Sequence, residues 1–423
     1  MLGRLLKLFK FKDMRRRLGI IALILFVFRL MANIPIPGVN QDALTQFFSS
    51  NQFFGFLNIF SGGALSNLSI AMLGLGPYIT AVIIMQLLTM VFPSLKSLYY
   101  EEGEQGKAKF NRYSRYLTVP LAATSGFGFL RLLSSQGVIA QFSLGQTILN
   151  VIVIVAGSMA LVWLGELINE QNIGNGVSIL IMAGIVSALP LGVRNALISY
   201  TPSDLPTYIA FIALALVVVA AIVMINEGER KVPISYARRV RGNKLYGGVS
   251  SYLPLRVGQA GVIPIIFAIS LLLFPQFFGQ VAAVFSPEFG ASVNEFTAAF
   301  ANNQFAYGLT YFILVFAFTY FYIGVTFDPE EISKNLQRSG GFIPGIRPGA
   351  PTAAHLKSVV QRVTLFGATA LGLIAILPIL TQVLTGTQAL TIGGTSILIV
   401  VAVALDMAKQ AESQVTVREY EGT

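Results

Sequence analysis

The sequence contains no cysteine and a single histidine, His355, and only 11% of its 423 residues are charged. Without cysteine there is no disulfide and no thiolate metal or redox site. With one histidine, no HExxH and no GxSxG, neither a metalloprotease nor a serine hydrolase is legible. No GxxxxGK[ST] loop occurs, so the energy for any work must come from a partner. An ordinary soluble domain is about 25% charged. Together with 54% hydrophobic residues and a mean hydropathy of +0.70, the scarcity of charge marks a membrane chain.

Charge is scarcest where coupled transport would need it. The ionisable groups in or at the ends of apolar runs are Arg29, Arg131, Glu166, Arg194 and Asp406. Most stand near predicted ends, where they can snorkel to headgroups. Arg29 is the deepest and reads as a structural partner of a neighbouring helix. A proton- or sodium-coupled transporter places carboxylates or histidine at the midplane, and an ion channel needs a charged ring or a carbonyl filter. Neither pattern is legible. An inverted-repeat secondary transporter is the alternative function class, and it predicts a buried coupling carboxylate. No cofactor or metal is implied.

The charge that is present is ordered. Of 29 Lys and Arg, seven lie in 1–17, five in 94–115, seven in 227–256, five in 329–362 and two after 408. The segments 36–56, 134–145, 199–206, 280–305 and 382–393 hold none. Cytoplasmic loops near membrane spans collect basic residues, so the alternation records topology. A bilayer core takes about 20 apolar residues per helix. Candidate spans are 18–35, 76–93, 116–133, 147–168, 177–198, 207–226, 258–279, 306–327, 363–382 and 394–410. Ten spans with a basic start put both termini inside and the base-free loops outside. The amphipathic N-terminus, residues 1–14, reads as an interfacial helix on the cytoplasmic surface, although a solvated tail would have the same composition. The apolar run after it is too long for a signal-peptide core and ends in Pro35-Ile36-Pro37-Gly38.

Residues 57–93 are apolar for longer than one span needs. The first part carries Asn58, Ser61, Gly62, Gly63, Asn67 and Ser69, and Gly74-Leu75-Gly76-Pro77 should break a helix. If both halves crossed, the basic loop 94–115 would face outside. Residues 57–73 therefore read as a short re-entrant helix that dips in without crossing, inside a cavity; a surface-lying amphipathic helix is the alternative. Five spans on either side of residue ~203 have the arithmetic of an inverted repeat, with a site between the halves. The expected units are 1–17, a first half 18–202 and a second half 203–423.

The stretches able to line a cavity are aliphatic: Pro77 to Ile84, Ile179 to Ile185, Pro264 to Phe267 and Ile397 to Ile399. An aliphatic constriction gates by dewetting, and ordinary lipid-facing or packed surface looks the same. Two basic loops, 227–256 and 328–362, exceed usual loop lengths, which points to function. Val232 to Tyr236 and Arg238-Arg239-Val240-Arg241-Gly242 through Leu245-Tyr246 suit a basic hairpin. Gly345-Ile346-Arg347-Pro348-Gly349 suits a rigid turn that displays a guanidinium. Topology-setting charge without a partner remains the bland alternative.

These features together resemble the SecY family, essentially end to end. The marks are Ile34-Pro35-Ile36-Pro37-Gly38, Pro77-Tyr78-Ile79, Gly174-Asn175-Gly176, Ala260-Gly261-Val262-Ile263-Pro264, Phe342 to Gly349, and Gly393-Gly394-Thr395-Ser396. The resemblance implies an all-α membrane channel of two five-helix halves with a plug at 57–73, represented by Ser61, Gly62, Gly63 and Asn67. It implies an aliphatic pore ring of Leu75, Ile79, Ile181, Ile185, Ile266 and Ile399, with Leu75 standing where isoleucine is usual. A lateral gate would run through Thr80, Ile83, Gln86, Ser270 and Phe274. Arg238, Arg239, Arg241 and Arg347 would dock a ribosome or the SecA ATPase. The resemblance further implies SecE and SecG as small membrane subunits, signal peptides and nascent polypeptides as clients, and a bacterial inner-membrane location.

Overall fold

A computed structural model of the chain describes residues 11–36, 44, 58, 61–100, 102–135, 137–139, 142–198, 205–236, 239–241, 244–246, 250–385 and 391–421. Helix α1 (Lys12–Ala32) runs without a break from the basic segment into the first apolar run. Residues 12–14 therefore belong to the span helix and not to a separate surface helix. Met14 is fully buried, so packing continues the helix across the basic cluster. The rest of the expected N-terminal helix lies outside the described residues.

Helix α2 (Gly76–Val91) opens with Pro77 in its first turn, where a missing N–H costs nothing. Then follow α3 (Pro93–Tyr100), α4 (Gly103–Ser135), α5 (Leu144–Asn169), α6 (Gly176–Ile198) and α7 (Leu205–Glu227). After a β segment come α8 (Ile263–Phe285), α9 (Pro287–Asn302), α10 (Gln304–Thr326), α11 (Pro329–Arg338), α12 (Ala350–Thr385) and α13 (Thr391–Glu421). Each apolar stretch read as a span overlaps one of these helices. Five helical stretches, Gly103–Ser134, Leu144–Asn169, Tyr208–Glu227, Gln304–Arg338 and Ala350–Leu377, are long and apolar enough to cross a membrane. The pair α2 and α3, bent by 113°, would make a sixth if it forms one span. In α6 and α8 the apolar runs are shorter, 176–190 and 263–272, and a proline follows or closes each, Pro190 and Pro275.

Two loop expectations change. The segment 280–305 contains α9 together with the end of α8, and 328–362 contains α11 and the first turns of α12. The Asp328 carboxylate caps α11 by accepting from the Glu330 and Glu331 amides at 2.8 and 3.1 Å, with Pro329 in the first turn. His355 stands exposed on α12 and not in a loop.

The expected basic hairpin is built from β1 (Glu229–Tyr236) and β4 (Ser250–Arg256), antiparallel, from Glu229↔Arg256 to Ser235↔Ser250. Strands β2 (Arg239–Arg241) and β3 (Lys244–Tyr246) pair between them. Strand β5 (Gly341–Phe342) adds to β1 through Ser235↔Phe342 and Tyr236↔Gly341. The two basic loops thus share one sheet, ordered β4-β1-β5. Under it, Val232, Leu255, Ile343, Leu356 and Val360 form a common apolar cluster with Ala260 and Ile323.

The main core holds residues of α1, α2, α5, α6, α7, α8, α10, α12 and α13. Helices α1, α2, α4, α5 and α6 pack among themselves, as do α7, α8, α10, α12 and α13. The two groups meet where α8 lies on α2 and α4, and where α13 lies on α6.

Candidate translocation pore and plug

The segment 61–75 is not helical. It is a succession of turns, because Gly62 (φ 69°), Gly63 (φ 81°), Leu68 (φ 41°) and Gly74 (φ 56°) each leave the right-handed helical region. The expected plug helix is therefore corrected over these residues; of 57–60, only Asn58 is described. The polar side chains serve the turns. The Ser61 hydroxyl donates to the Asn58 carbonyl at 3.0 Å and accepts from the Leu65 amide at 3.1 Å. The Asn58 side-chain oxygen accepts from the Ser66 amide at 2.7 Å. Backbone groups that a helix would have paired are satisfied by side chains instead.

Four helices hold this segment. Around the bridge Pro35↔Ser69, the Ile36 amide donates to the Leu68 carbonyl at 2.8 Å and the Ile70 amide to the Ile34 carbonyl at 3.0 Å. The Ile34-Pro35-Ile36 motif is thus an edge that pairs with the turns. The Arg29 guanidinium of α1 donates to the Gly62 carbonyl. A β-carbon on Gly62 would stand 2.9 Å from Gly184 Cα of α6 and 3.1 Å from the Phe28 ring of α1. A β-carbon on Gly157 of α5 would stand 1.9 Å from the Ile70 carbonyl oxygen. The apolar side chains divide. Ala64, Ala71 and Leu75 join the main core, whereas Leu65, Leu68 and Met72 pack with Phe129, Leu130 and Leu133 of α4 and Ile154 of α5.

Five of the six expected ring residues are buried in the main core: Leu75, Ile181, Ile185, Ile266 and Ile399; Ile79 is partly buried against them. A cavity of about 70 Å³ lies against four of them, Leu75, Ile79, Ile181 and Ile266. It is lined by Ser61, Leu65 and Met72 of the turn segment, by Leu75, Ile79, Ile181 and Ile266, and by Ile269 and Ser270 of α8. It has room for a few waters and none for a polypeptide. Ile185 and Ile399 belong to the same core without lining the cavity. Gly62, Gly63 and Asn67 lie off the cavity lining; Asn67 donates to the Asn33 side chain at 3.2 Å.

Of the expected gate residues, Ser270 lines the cavity, and Ile83 and Gln86 are buried on α2. The Gln86 side-chain oxygen has no hydrogen-bond partner among the described residues. Thr80 turns back on its own helix, donating to the Gly76 carbonyl at 3.1 Å. Phe274 is exposed and stacks on Phe278. Of the expected docking residues, Arg239 and Arg241 lie on β2 of the separate β2–β3 pair, Arg238 lies outside the described residues, and Arg347 is exposed in the turn after β5. Gly345 (φ 80°) and Gly349 (φ 97°) flank Arg347 in left-handed conformations that favour glycine, and the Thr352 hydroxyl donates to the Arg347 carbonyl at 2.8 Å.

Sequence reading missed two ties. Arg29 was recognisable as structural, but not as the residue that reaches Gly62. Glu166 was read as a span-end group, and it pairs with Arg115 of α4 at 2.9 Å. Among the described residues no group of three His, Asp or Glu could hold a metal.

The helices thus form two packed groups, with the turn segment and an aliphatic cluster beside their junction. The chain belongs to the SecY family, whose profile matches residues 69–408. It is 42% identical to the protein translocase subunit SecY of Streptomyces galbus, covering 100% of this chain and 99% of the relative. It is also 42% identical to that of Thermotoga maritima, covering 98% and 96%. Among solved structures, it superposes on a protein-conducting channel with a TM-score of 0.66 at 19% identity, covering 93% of this chain and 91% of that one. It superposes on Sec61 from the canine ribosome-channel complex with a TM-score of 0.64 at 19% identity, covering the same shares. These structural likenesses establish the helical fold of the chain.

Proposed function

We propose that this chain is the pore subunit of a protein translocase, which passes unfolded secretory polypeptides across the membrane and releases apolar segments sideways into lipid. The observation that carries the reading is the junction cavity. There, turn residue Ser61, constriction residues Leu75, Ile79, Ile181 and Ile266, and gate residue Ser270 face one another. Residues 61–73 act as the plug. They fill the space above the ring with buried alanine, leucine and methionine, and they carry no charge that would bind a passing chain. The aliphatic ring closes by dewetting and holds no ion tightly. It fits loosely around an extended chain of any sequence, which suits cargo of varied chemistry.

Ten spans in two inverted halves, 18–202 and 203–423, place both termini and the β4-β1-β5 sheet in the cytoplasm. Arg239 and Arg241 of the β2–β3 pair, Arg347 in the turn after β5, and Arg238 dock the SecA ATPase or a ribosome. SecE and SecG complete the complex. Partner binding parts α8 from α2 and α4, the plug leaves its seat, and the chain passes through the ring. Apolar segments, including signal peptides, leave between α2 and α8 past Thr80, Ile83, Gln86, Ser270 and Phe274.

The test is crosslinking from photoreactive residues at Ile79 and Ile266 to a secretory chain stalled in transit. Adducts at both positions, absent at lipid-facing Leu216, are expected. A stalled chain that crosslinks to neither would overturn the pore assignment.

A further inference from the structure

Helix α9 follows α8 after the single residue Ser286, and α10 follows α9 after Asn303. A β-carbon on Gly290 would stand 2.2 Å from Ala283 Cα, and one on Gly279 would stand 2.5 Å from the Asn294 side-chain oxygen. These contacts fix an antiparallel hairpin in which α9 doubles back along the last turns of α8. In that register Phe296 stands level with Phe278.

The faces of α9 separate cleanly. Gly290, Val293 and Asn294 meet α8. At 100° per residue, Phe289 and Phe296 share a face about a quarter-turn from that contact. Glu288 and Glu295 point away from α8. On α8, Phe274 and Phe278 lie on the same side of the hairpin as Phe289 and Phe296. All four rings are exposed: Phe274 42%, Phe278 50%, Phe289 54% and Phe296 72%. The strip continues down α8 into Leu271, which is 41% exposed on the same face. An exposed apolar patch of this kind marks a contact surface.

We infer that the α8–α9 hairpin is an interfacial membrane anchor, whose Phe274–Phe278–Phe289–Phe296 face beds in lipid at the end of α8 remote from the basic sheet. Its continuity with the outer face of a membrane helix selects lipid as the occupant. The segment 280–305 holds no Lys or Arg to recruit it to headgroups, but covalent connection to α8 and α10 makes recruitment unnecessary. Glu288 and Glu295, about a quarter-turn further round α9 from the phenylalanines, face away from α8 and keep that edge in water, as in other amphipathic interfacial helices. Because α9 is locked on α8 through glycine contacts, the anchor moves with the helix that joins the two helix groups. The inference requires only a multi-pass membrane protein, so its failure would leave the pore reading untouched.

Trp163 is the only tryptophan, which permits a direct test. In a Trp163→Phe background, single Phe289→Trp, Phe296→Trp and Glu295→Trp chains are reconstituted into phosphatidylcholine vesicles, with or without lipid brominated near the headgroup end of the acyl chains. Emission from positions 289 and 296 is expected to shift to the blue, to be lost to brominated lipid and to resist acrylamide. Position 295 is expected to behave oppositely. Quenching of the native Trp163 by brominated lipid in the unaltered chain verifies insertion. Acrylamide quenching at 289 and 296 equal to that at 295 would overturn the inference, as would protection from both quenchers, which would mean a protein partner covers the face.

Discussion

Gly62 of the 61–75 turn segment and Gly184 of α6 approach so closely that a β-carbon on Gly62 would stand 2.9 Å from Gly184 Cα. Gly63, next in the chain, has a comparable backbone (φ 81°) and nothing within 4 Å of its would-be β-carbon. The pair separates backbone strain from contact. Alanine at either position meets the left-handed penalty of about 1–2 kcal/mol, and only alanine at 62 also meets backbone. Gly62→Ala is therefore expected to raise the basal ion conductance of reconstituted channels well above Gly63→Ala. Equal leak from the two variants in planar bilayers would show that the seat at Gly184 does not hold the plug.

Arg29 supplies the polar half of the same seat through the Gly62 carbonyl. A hydrogen bond from a charged donor contributes about 1.5–3 kcal/mol, so Arg29→Ala should raise the population with a displaced plug at least about tenfold. Arg29→Lys keeps the charge and should recover part of the seal. The readout is iodide-driven swelling of proteoliposomes. A leak unchanged in Arg29→Ala would assign the arginine to α1 alone.

Much of this was readable in the residues, for identifiable reasons. Long apolar runs specify helices, so every candidate span overlaps a helix. Gly74-Leu75-Gly76-Pro77 placed the start of α2, since proline fits a helix without loss in its first turn. What was not readable is tertiary. The turn structure of 61–75 depends on Leu68 holding a positive φ, which an aliphatic residue adopts only when packing forces it. The union of the two basic loops through Ser235 and Phe342 is a pairing across more than a hundred residues, and no local pattern encodes it. Helix α9 was hidden because a base-free amphipathic stretch between spans reads equally as a loop. Length marked both basic loops as functional, but only Arg347 could be placed in a turn by its flanking Gly and Pro.

Arg115 and Glu166 brace α4 to α5, their side chains 36% and 30% exposed. At that exposure, removing either partner should cost about 1–3 kcal/mol, between the values for surface and buried pairs. Arg115→Ala and Glu166→Ala should each lower the thermal midpoint in detergent. The double variant should lose less than the sum of the two. Strict additivity would make the pair a bystander, and the brace would then rest on apolar packing alone.

Arg347 tests the docking surface. It sits in a turn fixed by Gly345, Gly349 and the Thr352 hydroxyl, beside β5, which ties this loop to β1. A fixed guanidinium makes charge-assisted contacts to carboxylate or phosphate at little entropic cost. Arg347→Glu should reduce SecA-driven export by about tenfold, which corresponds to about 1.4 kcal/mol of lost coupling. Insertion and thermal stability should stay unchanged, because the side chain is exposed. The defect should also lessen as salt screens the new repulsion. Export at the normal rate, from vesicles shown to hold equal amounts of inserted chain, would remove Arg347 from the docking surface and leave the basic sheet as a topology signal.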